Sequence, residues 1–269
     1  MTDNLNIPHL ISELGNPNQE KRHEASNALK LTGAAAVEPL IAALQNTDED
    51  VRRETIQILE YIHDERAVPA FLRTIHDDPV RNVQTLAITY LYRFVEAPGV
   101  MDSLVRVARD DTFSGKRRAA VQILKTNKKM DGDFWLEVLN DSDEMVVIIA
   151  IRALVQTNDP RTANALRITL GKWAANDGVI YNIFNNWMAL DKKPTFEDVA
   201  PYLSSSDDIT RGRAAWILGK IGDLRAIDLL NSLLQDKAQV FKEDNYAPYQ
   251  TVSSLAKTAI EQIQKVNRH

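Results

Sequence analysis

A nine-residue frame recurs along this chain at a nearly constant interval, and nothing else constrains the fold as strongly. Lys21-Arg22-His23-Glu24-Ala25-Ser26-Asn27-Ala28-Leu29 returns as Val51-Arg52-Arg53-Glu54-Thr55-Ile56-Gln57-Ile58-Leu59. It returns again as Lys116-Arg117-Arg118-Ala119-Ala120-Val121-Gln122-Ile123-Leu124 and as Thr210-Arg211-Gly212-Arg213-Ala214-Ala215-Trp216-Ile217-Leu218. Looser copies end at Leu91, Leu154, Met188 and Ile260, and successive ends are 30, 32, 33, 30, 34, 30 and 42 residues apart. Four residues before each end stands a mostly small column: Ala25, Thr55, Ala87, Ala120, Ala150, Phe184, Ala214 and Ala256. Residues at i and i+4 share one face of a helix, so every copy contains a helix with one buried stripe, and small residues there admit a close neighbour.

A second helix precedes each of these. Ala36-Val37-Glu38-Pro39-Leu40-Ile41-Ala42-Ala43-Leu44 and Ala67-Val68-Pro69-Ala70-Phe71-Leu72-Arg73-Thr74-Ile75 place Pro39 and Pro69 in a first turn, where a missing amide costs least. Acidic runs such as Asp48-Glu49-Asp50 and Ser206-Asp207-Asp208 then cap the following helix. The unit is helix A, turn, helix B, with provisional units 6–33, 34–63, 64–94, 95–127, 128–158, 159–193, 194–222 and 223–269. Only 10 Gly and 10 Pro in 269 residues argue against a many-stranded sheet protein. A unit of ~30 residues cannot bury its apolar face alone, whereas stacked units share a continuous core. We therefore expect one elongated all-α solenoid domain over 1–269. The last spacing marks an insertion from Lys237 to Pro248, either a C-terminal cap or a binding loop.

The units resemble HEAT repeats, specifically the short HEAT-like class named after phycobilin lyases. The resemblance is carried by Val51-Arg52 with the related Arg22, Arg117 and Arg211, and by the ending Ala214-Ala215-Trp216-Ile217-Leu218-Gly219-Lys220-Ile221-Gly222-Asp223. Asp64-Glu65-Arg66-Ala67, Asp159-Pro160-Arg161-Thr162 and Asp223-Leu224-Arg225-Ala226 resemble its inter-repeat turn. It implies an all-α, right-handed α-α superhelix of about eight helical hairpins. It also implies that Arg22, Arg52, Arg117 and Arg211 form a structural column pairing with acidic turn residues. That column is broken at Gln84, Val147, Tyr181 and Ser253.

Residues two before and two after the small column lie away from the shared core. They read His23 and Asn27, Arg53 and Gln57, Thr85 and Thr89, Arg118 and Gln122, Ile148 and Arg152, Gly212 and Trp216. This polar strip with cations and one large aromatic suits a concave groove for a segment of another protein, because Arg and Trp dominate interface energetics. Arg53, Gln57, Arg118, Gln122, Arg152 and Trp216 are the candidate partner-binding residues. Trp135, Trp173 and Trp187 read as core.

Several chemistries find no residues here. Zero Cys removes disulfides, thiol catalysis and Cys-metal sites. There is no phosphate loop and no nucleophile elbow. His23-Glu24 resembles the iron-binding pairs of deoxyhypusine hydroxylase, but the equivalent positions Arg53-Glu54, Arg118-Ala119 and Gly212-Arg213 do not continue the pattern, so no metal is expected. No cofactor is assigned. The longest apolar stretch, Met145 to Ile151, is too short to span a membrane, and the N-terminus carries no secretory pattern, which leads us to expect a cytoplasmic protein. A net charge of −5 argues against nucleic acid as a partner. The expected function is a non-enzymatic protein-binding scaffold or adaptor. The resemblance leaves two alternatives open, a bilin lyase subunit or chromophore-protein chaperone, and a HEAT-like alkylpurine DNA glycosylase.

Overall fold

The computed structural model describes residues 6–240 and 250–268. They form sixteen α-helices arranged as hairpins, together with one two-stranded ladder. The chain divides into two compact units, Met1–Met130 and Asp131–His269. The first contains α1 (Ile7–Glu13), α2 (Gln19–Thr32), α3 (Val37–Ala43), α4 (Glu49–Ile62), α5 (Val68–Asp77), α6 (Arg81–Tyr90), α7 (Val100–Asp110) and α8 (Ser114–Asn127). The second contains α9 (Gly132–Val138), α10 (Glu144–Gln156), α11 (Thr162–Lys172), α12 (Asp177–Trp187), α13 (Phe196–Val199), α14 (Asp208–Ile221), α15 (Ala226–Asn231) and α16 (Val252–Val266). Odd-numbered helices are the A helices and even-numbered ones the B helices. Strands β1 (Gln239–Val240) and β2 (Gln250–Thr251) pair antiparallel just before α16.

Most B helices start where a side-chain oxygen takes up orphan amides, although α6 and α8, which follow Val80 and Phe113, have no such cap. Asn18 accepts from the Glu20 amide at 2.8 Å, Asp48 from Asp50 at 2.8 Å and Asp207 from Thr210 at 2.7 Å. Within each unit the B helices lie side by side, α2 against α4, α4 against α6 and α6 against α8, then α10 against α12, α12 against α14 and α14 against α16. The small column is fully buried in all eight copies, and so are Leu29, Leu59, Leu91, Leu124, Leu154 and Leu218. Burying one such leucine is worth about 1.5–3 kcal/mol, so the stripe is the main source of cohesion. Two copies shift register. Trp187 takes the buried place in α12 while Met188 is half-buried, and Ala259 and Ile263 do so in α16 while Ile260 is half-buried. Trp135 joins the core as expected, but Trp173, at the C-terminal end of α11, is only half-buried.

Two kinds of polar clamp hold the turns. In the first, a B-helix side chain donates to the carbonyl six residues earlier: Arg22 to Asn16 (2.7 Å), Arg52 to Asn46 (2.8 Å), Arg117 to Asp111 (2.8 Å) and Arg211 to Ser205 (2.8 Å). Gln84 does the same to Asp78 at 2.6 Å, so the column that the sequence breaks at this position is continuous in structure. An amide N–H reaches the same acceptor as a guanidinium does. The other edge of two arginines pairs with an acid of the next turn, Arg52 with Asp78 at 2.7 Å and Arg211 with Asp236 at 2.8 Å.

The second clamp lies between hairpins. Arg66, Arg161 and Arg225 each grip the aspartate two residues before them and an acid on the preceding A helix. The partners are Asp64 with Glu38, Asp159 with Asp133, and Asp223 with Glu197. The guanidinium holds Asp159 down to about 2 and lowers Asp64 and Asp223.

Candidate interaction face

The outward positions of the B helices differ between the units. In the first unit Arg53 is half-exposed and pairs with Asp50 at 2.7 Å, Gln57 is half-buried, and Arg118 and Gln122 are exposed. Between them α6 presents Thr85 and Thr89, whose hydroxyls donate along their own helix to the carbonyls of Arg81 and Thr85. These residues belong to neighbouring helices, so the first unit brings the strip together as one surface.

Beyond the strip stand three further large side chains, Leu31 on α2, Tyr61 on α4 and Tyr92 in the 3-10 turn Leu91–Phe94 that follows α6. Leu31 is 87% exposed, Tyr61 61% and Tyr92 54%. Leu31 and Tyr61 continue His23-Asn27 and Arg53-Gln57 by the next four-residue step, whereas the same step from Thr85-Thr89 gives Arg93, and Tyr92 stands one residue before it. Contacts between repeats join the segments that carry them. The Lys30 ammonium lies 5.5 Å over the Tyr61 ring, and Arg93 pairs with Glu60 at 2.9 Å. Burial, followed by the nearby Glu60, Tyr92 and Glu54, pushes the half-buried Tyr90 phenol above its ordinary value.

In the second unit several of the equivalent positions are covered, although Arg152, Ser254 and Thr258 are exposed. Ile148 is buried rather than exposed. The Arg152 guanidinium donates twice to Asn182 Oδ1, at 3.0 and 2.8 Å, and Asn182 is itself buried. Gly212, read as outward from the sequence, lies beneath Val240 and Leu255; a Cβ there would stand 2.7 Å from Val240 Cγ1. Val240 belongs to β1, at the base of the insertion, whose residues 241–249 lie outside the described residues. Trp216 is half-buried with the Arg213 guanidinium 4.4 Å from its ring and the Lys220 ammonium 5.6 Å away. Arg118, Gln122 and Arg152 are thus exposed and Arg53, Gln57 and Trp216 half-buried, with Arg53 held by Asp50, Arg152 by Asn182, and Trp216 covered by Arg213 and Lys220.

His23 is exposed, with its ring 3.3 Å from the Gln19 amide. Among the described residues no three His, Asp or Glu side chains are placed to hold one metal ion. No helix among them is long and apolar enough to cross a membrane.

The repeat geometry agrees with two family models. HEAT repeats match residues 7–91 and 37–125, and the PBS lyase HEAT-like repeat matches 210–236. The chain is a HEAT-repeat protein. Among curated proteins no sequence match is found. The fold of this HEAT-repeat chain is similar to the X-ray structure of the Escherichia coli protein YibA, at 16% identity and a TM-score of 0.58, covering 97% of this chain and 93% of that one. Human deoxyhypusine hydroxylase in complex with glycerol aligns at 16% identity and a TM-score of 0.38, covering 96% of each chain. The complex of CpcE and CpcF of phycocyanin lyase from Nostoc sp. PCC7120 aligns at 21% identity and a TM-score of 0.32, over 67% of this chain and 96% of that one. At these scores the last two carry no argument about this HEAT-repeat chain.

Proposed function

We propose that this HEAT-repeat chain is a non-enzymatic scaffold or adaptor that binds another protein along the B-helix face of its first unit, around Arg53, Gln57, Arg118 and Gln122. The reading is carried by the line of Leu31, Tyr61 and Tyr92, large side chains left in water at the same end of three consecutive B helices. Scattered exposed apolar residues need no explanation, but large ones gathered where neighbouring B helices end, rimmed by polar groups, mark an interaction surface. Tyr and Arg are the side chains from which interfaces draw most of their energy. Stacked hairpins present such a face over several repeats, so affinity is spread across α2, α4, α6 and α8. Arg152 and Trp216 act instead as braces of the second unit.

The test is site-specific photo-cross-linking in the producing cell, with the probe at position 57 or 89 and a control probe at position 164, on an A helix. Protein adducts at 57 and 89, absent at 164 and abolished by Tyr61→Ala with Tyr92→Ala, are the expected result. Adducts that survive the double substitution, or appear equally at 164, would sink the proposal.

A further inference from the structure

Four residues after the N-cap of a B helix stands an arginine, or Gln84 on α6, that donates back to the turn before the cap. Three of the arginines hold both carbonyls that precede it. Arg22 reaches Asn16 and Pro17 at 2.7 and 3.1 Å, Arg52 reaches Asn46 and Thr47 at 2.8 and 3.1 Å, and Arg211 reaches Ser205 and Ser206 at 2.8 and 3.0 Å. Their caps are Asn18, Asp48 and Asp207. The pattern lapses in the second unit, at Val147 on α10 and on α12. Helix α12 is capped by Asn176, and its one-residue register shift puts buried Ile180, followed by Tyr181, at the place of the arginine. Neither side chain carries a guanidinium. The two carbonyls before this cap belong to Ala174 and Ala175, and among the described residues neither accepts a hydrogen bond.

A cavity opens at that place. Its counterpart in the first unit is walled by Asn46, Thr47, Thr74, Asp77, Asp78 and Pro79, with Arg52 beside them, and holds about 280 Å³. Counted from the caps, the same six positions in the second unit are Ala174, Ala175, Pro201, Ser204, Ser205 and Ser206, and the cavity they line holds about 390 Å³. In the first unit the Arg52 guanidinium is in place, gripped by both Asp78 oxygens at 2.7 and 3.1 Å. In the second no arginine lines the wall, but a carboxylate does. Half-buried Asp177 accepts the Ser205 hydroxyl at 3.0 Å and makes no ion pair among the described residues. Arg211, which holds the Ser205 and Ser206 carbonyls, is balanced by Asp236 and is not part of this wall.

We infer that this cavity receives its cation from outside the chain, as the guanidinium of an arginine side chain of another protein. One edge of the fork takes the Ala174 and Ala175 carbonyls and the other takes the Asp177 carboxylate. That is the two-sided grip by which Arg52 joins Asn46 and Thr47 to Asp78. Arginine suits the cavity better than lysine, because a planar fork serves carbonyls and a carboxylate together whereas an ammonium is a single point of charge. The site belongs to the second unit alone and does not rest on the docking reading above.

The experiment is titration of the isotope-labelled full-length protein, read from amide chemical shifts, with N-acetyl-arginine amide, its neutral isostere N-acetyl-citrulline amide, N-acetyl-lysine amide and free arginine. Blocked arginine should move the amides of Ala175, Asp177 and Ser205, citrulline should not, and lysine should bind several-fold more weakly. The amides of Thr47 and Asp78, where Arg52 is already seated, should stay still. Asp177→Asn should weaken blocked arginine about tenfold, since it removes a charged hydrogen-bond acceptor. Ser205→Asp, which restores the acid present at Asp78, should strengthen it. Equal responses to citrulline, an affinity untouched by both substitutions, or no response at the cavity would overturn the inference. Lysine bound as tightly as arginine would overturn the guanidinium assignment. Free arginine bound more tightly than the blocked form would overturn the protein partner and assign the cavity to the amino acid itself.

Discussion

On the B helices of the first unit the position two before the small column reaches solvent, whereas on α10, α12 and α14 of the second the same position is buried. Both come from one repeat frame, with the same buried small column and the same turn clamps. At the position two before that column the first unit has Arg53, Thr85 and Arg118, whose side chains reach partly or wholly into water. The second has Ile148, Asn182 and Gly212, all buried, and Ser254 on α16, which is exposed. A repeat dictates which residues turn away from the core. It does not dictate whether something else covers them.

Substitutions can break or sharpen that contrast. The largest effect lies at the turn edge, where the units are alike in pattern but unequal in burial. The Arg52 and Asp78 side chains are 6% and 3% exposed, against 17% and 19% for Arg211 and Asp236. Arg52→Ala strands a buried carboxylate and should cost about 3–5 kcal/mol in urea unfolding, with a clearly smaller loss for Arg211→Ala. Equal losses would mean that burial does not separate the two clamps.

Next comes the covered position. Gly212→Val should drive Val240 off α14 and cost about 1–3 kcal/mol, since overpacking forces side chains or backbone to move. At the equivalent open position, Arg53→Ala removes only an exposed pair with Asp50 and should cost at most ~0.5 kcal/mol. Similar costs at the two positions would erase the distinction between the faces.

Arg152→Ala is smaller. It deprives buried Asn182 of its donor and should cost about 1 kcal/mol, reduced by the partial exposure of the arginine. The Tyr61→Ala and Tyr92→Ala pair should change stability by less than ~0.5 kcal/mol each while removing partner binding. A large stability loss would reassign those tyrosines to the fold.

The smallest effect is common to both units and serves as a control. The pKa of Asp159 falls to about 2 in the folded state because Arg161 grips its carboxylate, so the clamp contributes above the unfolded aspartate value of about 3.9 and is lost as pH falls towards 2. The stability gap between the wild type and Asp159→Asn should therefore be constant near neutrality and close between pH ~4 and ~2. A gap that persists at pH ~2 would show that the aspartate acts through something other than its charge.

Much of this was legible because helical spacing is a one-dimensional property. Ala25, Thr55 and Ala120 at four-residue distance from Leu29, Leu59 and Leu124 fixed the buried stripe before any neighbour was known. The Arg column was legible for the same reason, yet Gln84 was misread, since equivalence was judged by residue type rather than by which acceptor a side chain reaches. Met188 and Ile260 were misplaced because a bulky Trp187 and the 42-residue spacing before Ile260 shift the local register.

The sequence by itself determined the hairpins, their repetition and the residues that each must bury, because a helix of period 3.6 leaves its interior stripe written in the chain. Only the tertiary structure decided which outward residues meet water. That depends on contacts between residues far apart in sequence, such as Val240 over Gly212 and Asn182 against Arg152. No local pattern encodes such contacts, because the covering group arrives from another repeat.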